Sequence, residues 1–187
     1  QGGPGQPPSG WHRKVGRPNG PRSGRRGVVE PDHAQDAGGA AAAMVEVDPK
    51  TGKIEVLKIW MVADHGVILN PLILSGQIKG GIVQQLGGTL YESFEYDAYG
   101  IPYAKTMKDY GMPTVWAAPP LHIEHLVTKS PATSIGAKGG GEDGCIATTT
   151  VLMGAVEDAL RPFGVKVMHG QLSPARVRGL IVAALEK

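Results

Sequence analysis

Between residues 136 and 144 the chain reads Gly-Ala-Lys-Gly-Gly-Gly-Glu-Asp-Gly. Three consecutive glycines, Gly139, Gly140 and Gly141, stand directly before an acid, Glu142, where the following pattern turns helical. Glycine lets a bulky ligand approach the main chain closely. A helix start also offers unpaired N–H groups to an anion. A carboxylate held beside such a loop is placed for acid–base work. The bland reading of Glu142 is a helix-terminal acid matched to the macrodipole, and glycine-rich turns before helices are common where no chemistry occurs.

The elements that must position this loop can be read on either side of it. Residues 45–48 and 53–60 alternate apolar and polar positions around Pro-Lys-Thr-Gly at 49–52, the pattern of a β-hairpin. Residues 62–69 complete the second strand or form a short loop. Asn70 and Pro71 supply a helix cap and a proline at the first helical position. Leu74, Ile78, Ile82, Leu86, Leu90 and Phe94 then recur every fourth residue and mark one face for a core. Gly76, Gly80, Gly81, Gly87 and Gly88 lie in the same helix, although each costs about 1 kcal/mol against alanine. That penalty points to backbone-close packing against another element. Gln77 sits in the first turns, where its amide either reaches a ligand or is simply solvated.

Downstream, residues 96–100 read as a turn, and residues 102–113 as a short strand with a tight connection. Residues 122–128 form a strand that sends His122 and His125 to opposite faces. A helix is expected from Asp143, with Ile146, Thr150, Met153, Val156 and Leu160 on one face. Residues 164–167 suggest a further short strand. Ser173 and Pro174 open a last helix with Val177, Leu180, Ile181 and Leu185 inward. The fold class is α+β: a β-hairpin and short strands packed with three helices.

Residues 1–43 differ from the rest, being rich in Gly, Pro, Ser, Ala and Arg, with few large aliphatic residues. Such a stretch buries too little apolar surface to offset its ordering entropy. It reads as a disordered or non-native extension, the kind of composition that GC-rich coding DNA also yields out of frame. A basic arm for an acidic partner is the alternative. The remaining residues, 44–187, make one domain.

A net charge of +2 asks for neither nucleic acid nor an anionic membrane. The lone cysteine, Cys145, excludes an intrachain disulfide framework and a four-cysteine metal or iron–sulfur site built from this chain alone. It reads as a structural cysteine rather than an activated thiolate. The six histidines show no metal-ligand spacing, so no metal ligands are assigned. No apolar run approaches the roughly 20 residues of a bilayer span and no targeting signal is visible, which reads as cytoplasmic.

Three segments, in order, carry a resemblance. They are Val-Glu-Val-Asp-Pro-Lys-Thr-Gly at 45–52, Asn70-Pro71 followed by Ser-Gly-Gln-Ile-Lys-Gly-Gly-Ile-Val-Gln at 75–84, and Gly-Ala-Lys-Gly-Gly-Gly-Glu at 136–142. From about Met44 onward the chain resembles the C-terminal part of the molybdopterin-binding large subunit of the xanthine dehydrogenase/aldehyde oxidase family. The resemblance implies part of the second molybdopterin-binding domain. It makes Glu142 the general base beside molybdenum, Gln77 a contact of the metal centre and its pterin, and the Lys138–Gly141 backbone a lining of the cofactor site. The implied activity is hydroxylation of an aldehyde or N-heterocycle with water as oxygen source. The implied cofactor is molybdopterin; iron–sulfur clusters and FAD are expected on other domains or subunits. The implied partners are the rest of the molybdopterin subunit, those redox modules and a small-molecule substrate.

The family's other cofactor loops are absent and residues before Met44 do not resemble it, so the chain reads as one part of an active site, a fragment or a truncated reading frame, inactive by itself. Two rival readings stay open. One is a phosphate- or nucleotide-binding module using Lys138 and the glycines as an anion cradle, although the Gly-Lys-Ser/Thr ending of a P-loop is missing and Glu142 would repel a phosphate. The other is a non-catalytic structural remnant.

Overall fold

The structure, a computed structural model, describes residues 38–186. The extension expected over residues 1–43 lies outside the described residues except for its last six. Those six are ordered: the first strand, β1, spans Gly38–Val47. It pairs antiparallel with β2, Ile54–Asp64, from Gly38 opposite Asp64 to Val47 opposite Ile54, with a bulge after Met44. The strand therefore starts six residues before Met44. Its run of small residues from Gly38 to Ala43 lacks the alternation that reveals a strand, and its β character comes from pairing with β2.

The hairpin turn is held by the Asp48 carboxylate, which accepts from the Lys50 amide at 2.9 Å and the Thr51 hydroxyl at 2.6 Å. On its other edge β2 pairs in parallel with β3, Leu121–Leu126, giving a mixed sheet of order β1-β2-β3. A parallel neighbour requires a long crossover, and the chain between β2 and β3 supplies it. That crossover contains helix α1, Pro71–Leu90, the four-residue helix α2, Met107–Tyr110, and a 3-10 turn at Val115–Ala117.

Within residues 102–113 the chain forms α2, Met107–Tyr110, rather than a strand. The Thr106 side chain accepts from the Asp109 amide while the Asp109 carboxylate accepts from the Thr106 amide, a reciprocal cap that fixes a helical turn. Only an isolated bridge, Tyr96 to Pro102, remains of strand pairing there. Helix α1 ends at Leu90, so Phe94 falls beyond it and is exposed.

The helix expected from Asp143 is broken at Ala147 into α3, Asp143–Ile146, and α4, Thr148–Ala159. The break turns the face: Thr148, Leu152 and Val156 are buried, whereas Ile146 points outward. Residues 164–167 pair with no strand, although Val165 and Val167 are buried and the Val167 amide donates to Glu157 Oε2. The last helix, α5, Pro174–Leu185, is capped by Ser173 and buries Val177 and Ile181, with Leu185 exposed.

One core joins these layers. Ile59 and Met61 of β2 meet Ile78, Ile82 and Leu86 of α1, Leu152 and Val156 of α4, and Ile181 of α5. The glycines of α1 divide into two groups. A Cβ on Gly81 would lie 3.1 Å from the Cα of Gly144, and one on Gly144 would lie 2.2 Å from the Ile78 carbonyl oxygen. Helices α1 and α3 therefore touch backbone to backbone. Gly87 is similarly closed off by Pro113 and Glu92. Gly76 and Gly80 face open space among the described residues, so close packing does not account for them.

Candidate functional site at the glycine loop

The α1–α3 contact sets the site. It brings the first turns of α1 beside the end of the loop that runs from β3 to α3. The cap at Asn70, whose side chain accepts from the Ile73 amide at 3.1 Å, fixes where α1 begins. Gln77 lies two turns into the helix and its Nε2 donates to the carbonyl oxygen of Gly141 at 2.7 Å. The amide is neither merely solvated nor wholly free: it grips the loop one residue before Glu142. Its Oε1 faces no donor among the described residues.

The near end of the loop is fastened to the end of β2. The Lys138 amide donates to the His65 carbonyl at 2.9 Å and the Val67 amide to the Gly136 carbonyl at 3.0 Å. The Lys138 ammonium lies 3.0 Å from Asp64 Oδ2, with both side chains largely buried. Asp64 also accepts from the amides of Gly66 and Thr128, each at 3.0 Å. Burial pushes the Asp64 carboxyl up, but the two amides and the ammonium outweigh it and hold the group well below the usual carboxylate range. One carboxylate thus ties the end of β2, the second residue after β3 and the glycine loop together. Lys138 is among the residues that line the cleft beside the loop. Its charge is already matched, which removes the cation that an anion cradle would need.

The loop and the start of α1 enclose a cleft of about 300 Å³ whose lining includes His65, Asn70, Ile73, Leu74, Gln77, Lys138 and Gly140. Its walls are mostly apolar, with Gln77, Asn70, His65, Lys138 and the loop backbone contributing the polar groups. At Gly139 and Gly141 the position of a Cβ is open space among the described residues. A ligand can therefore reach the main chain at both, and side chains there would occlude the approach.

Glu142 is exposed and is not among the residues lining the cleft. Its backbone carbonyl accepts the Cys145 and Ile146 amides, so it opens α3, but its side chain makes no cap bond. The carboxylate is thus not consumed by helix capping. It is exposed among the described residues, so any dry surrounding has to come from outside them.

Two residues that pattern reading left without a role belong to the site. Asp64 is the hub just described. His65, 2% exposed, places Nε2 at 2.6 Å from Asp143 Oδ2. The two atoms are in close contact, although neither makes a hydrogen bond among the described residues. The only sequence signal for Asp64 was an acid ending a strand, and no periodicity links it to a lysine 74 positions later. Cys145 is a half-buried thiol 3.5 Å from the Gly81 carbonyl. Burial, then the Glu142 charge, pushes it up, which opposes a reactive thiolate. Among the described residues no cluster of three or more His, Cys, Asp or Glu side chains could hold a metal ion, and no helix is long and apolar enough to cross a membrane.

The family model described as the molybdopterin cofactor-binding domain matches residues 22–119. The match includes Gln77 and ends before the glycine loop. It also begins inside the stretch expected to stand apart from the family, so the likeness reaches further back than Met44. The nicotine 6-hydroxylase large subunit of Paenarthrobacter nicotinovorans is 42% identical over 139 residues, 74% of this chain and 17% of that protein. The carbon monoxide dehydrogenase large chain of Hydrogenophaga pseudoflava is 33% identical over 127 residues, 68% of this chain and 16% of that protein. Among solved structures, quinoline 2-oxidoreductase from Pseudomonas putida 86 superposes with a TM-score of 0.75 at 38% identity, covering 78% of this chain and 19% of that one. The chain spans about a sixth of the length of these curated relatives. It belongs to the molybdopterin-binding large-subunit family of the xanthine dehydrogenase, aldehyde oxidase and carbon monoxide dehydrogenase enzymes.

Proposed function

We propose that this chain contributes the general base and part of the cofactor site of a molybdenum hydroxylase acting on an N-heterocycle or an aldehyde. The observation that carries the reading is the bond from Gln77 to Gly141, which sets a cofactor-facing amide and the open backbone of Gly139 and Gly141 beside a carboxylate that caps nothing. The names of two relatives, a nicotine hydroxylase and a quinoline oxidoreductase, favour the N-heterocycle.

The residues present fit molybdopterin. The open main chain at Gly139 and Gly141 and the Lys138 and Gly140 backbone would lie along it, with Gln77 Oε1 accepting from it. When bound, the cofactor supplies the two-electron oxidation and the activation of water. Glu142 does the proton work: its carboxylate takes a proton as the oxygen nucleophile forms. That role requires the missing parts of the subunit to cover Glu142, because a dry surrounding raises a carboxylate's proton affinity. The chain is part of the second molybdopterin-binding domain in this reading. Iron–sulfur and flavin modules lie on other domains or subunits, and the location is cytoplasmic.

In the complete enzyme, Glu142→Gln keeps the size of the side chain and removes the base. Molybdenum content should be kept, and turnover per bound molybdenum should fall by about 10²–10⁴-fold. Unchanged turnover per molybdenum would overturn the assignment.

A further inference from the structure

The glycine loop is tied to β2 as far as Lys138, and beyond Glu142 helix α3 is held on α1 by the Gly81–Gly144 backbone contact; between these two anchors stand side chains. On one side Gln77 holds the Gly141 carbonyl. On the other stands His65. Gly140 lies so close to its ring that a Cβ there would sit 2.5 Å from Cδ2 and 3.0 Å from Nε2. Asp143, the residue after Glu142, brings its carboxylate to 2.6 Å from the same Nε2. One buried imidazole thus touches the chain two residues before Glu142 and one residue after it.

The ring has no competing partner. Neither of its nitrogens makes a hydrogen bond among the described residues, and the same holds for Asp143 Oδ2 and for Nδ1 of its neighbour His125. His125, on β3, meets the ring edge to face at 5.5 Å. Buried polar atoms left without hydrogen bonds are uncommon and call for a reason. Asp64 does not compete for the ring, because its carboxylate is taken up by the Gly66 and Thr128 amides and by Lys138. The charged and titratable groups around the ring are therefore Asp143 from α3, His125 from β3, and the Asp64–Lys138 pair at the base of the loop.

We propose that His65 and Asp143 form a buried clamp that sets the position of Glu142, making both of them positioning residues for its proton transfer. This rests on the reading of Glu142 as the base. A base must sit within hydrogen-bond reach of the proton it takes, and a turn free to shift by an ångström loses that placement. The clamp acts through the backbone on both sides of Glu142 and leaves its side chain uncommitted.

The test uses the complete enzyme with Asp143→Asn, His65→Gln, the double variant, and Glu142→Gln as reference. Asp143→Asn keeps the size of the side chain, so it probes the clamp even where a change at the fully buried His65 harms folding. Amide hydrogen exchange over residues 139–146 should quicken about tenfold in Asp143→Asn, with exchange elsewhere in the chain unchanged. Molybdenum and pterin content should be retained, kcat per bound molybdenum should fall about tenfold, and KM should stay within about twofold. The double variant should be no worse than the poorer single one, because the two residues act as a unit. Unchanged local exchange, multiplied losses in the double variant, or a loss of turnover that only follows molybdenum loss each overturns the clamp. Local exchange that quickens while kcat holds overturns its positioning role. Full activity in Glu142→Gln would instead sink the assigned base, and the exchange data would then decide by themselves whether the clamp exists.

Discussion

Gln77 and Gly141, separated by 64 positions in the chain, are joined by a 2.7 Å hydrogen bond from side-chain amide to backbone carbonyl. The bond couples the start of α1 to the last residue before Glu142. Anything that shifts the helix therefore shifts the loop.

Replacing Gln77 by alanine removes this tie and one polar group of the cleft. The bond is exposed within this chain, so its loss should cost about 0.5–1.5 kcal/mol of local stability. In the complete enzyme Gln77→Ala should lower molybdenum occupancy, read by metal analysis against protein. Occupancy and turnover that both match the parent would leave Gln77 as a loop support with no part in holding the cofactor.

Asp64 ties two strand ends to the loop, and its stability contribution depends on pH with a definite sign. Its folded-state proton affinity is depressed, so the unfolded chain binds more protons as pH drops. The contribution is complete above the unfolded value of about 4 and is lost as pH falls through that value toward the folded one. Asp64→Asn should thus destabilise by about 2 kcal/mol at pH 7, since Lys138 loses its partner. Denaturant melts at pH 7 and pH 3 check this: the gap between parent and variant should narrow at the lower pH. A gap of constant size would show that the charge on Asp64 contributes little.

The contact between Gly81 and Gly144 leaves no room for a side chain. A methyl group on Gly144 would meet the Ile78 carbonyl at 2.2 Å, and backbone on both sides cannot swing away as a side-chain end can. Gly144→Ala should therefore cost about 1–3 kcal/mol or more by overpacking. Gly76→Ala faces open space among the described residues and should be neutral or slightly stabilising in the chain by itself, since alanine is the better helix former. Equal melting temperatures for the two variants would contradict the backbone-to-backbone packing of α1 on α3.

Among the described residues the cleft is small and Glu142 is exposed. The isolated chain is expected neither to retain molybdopterin nor to oxidise an aldehyde or N-heterocycle. Metal analysis of the purified chain is the check, and stoichiometric molybdenum would show that the residues described here suffice.

Local signals carried the sequence reading where the physics is local. Alternation of residues revealed the hairpin and β3, the four-residue recurrence with Asn70 and Pro71 revealed α1, and Ser173 with Pro174 located the start of α5. The same signals misjudged residues 102–113, where a reciprocal Thr106–Asp109 cap makes a helical turn, and the first part of the helix after the loop, where a break at Ala147 leaves Ile146 and Thr150 outward while Met153, Val156 and Leu160 face the core as expected. The start of β1 was hidden because small residues show no alternation, and β2 alone pairs them into a strand. At the site, the resemblance carried by three motifs in order singled out Gln77 and Glu142, and the cofactor and base roles it implies are those we propose for them. The contacts of Asp64, His65 and Asp143 were not legible, because they join side chains brought together from the end of β2, the glycine loop and α3, 74 positions apart for Asp64 and Lys138. Spacing along a chain cannot register a contact that exists only after the sheet, the crossover and the α1–α3 glycine contact have placed its partners.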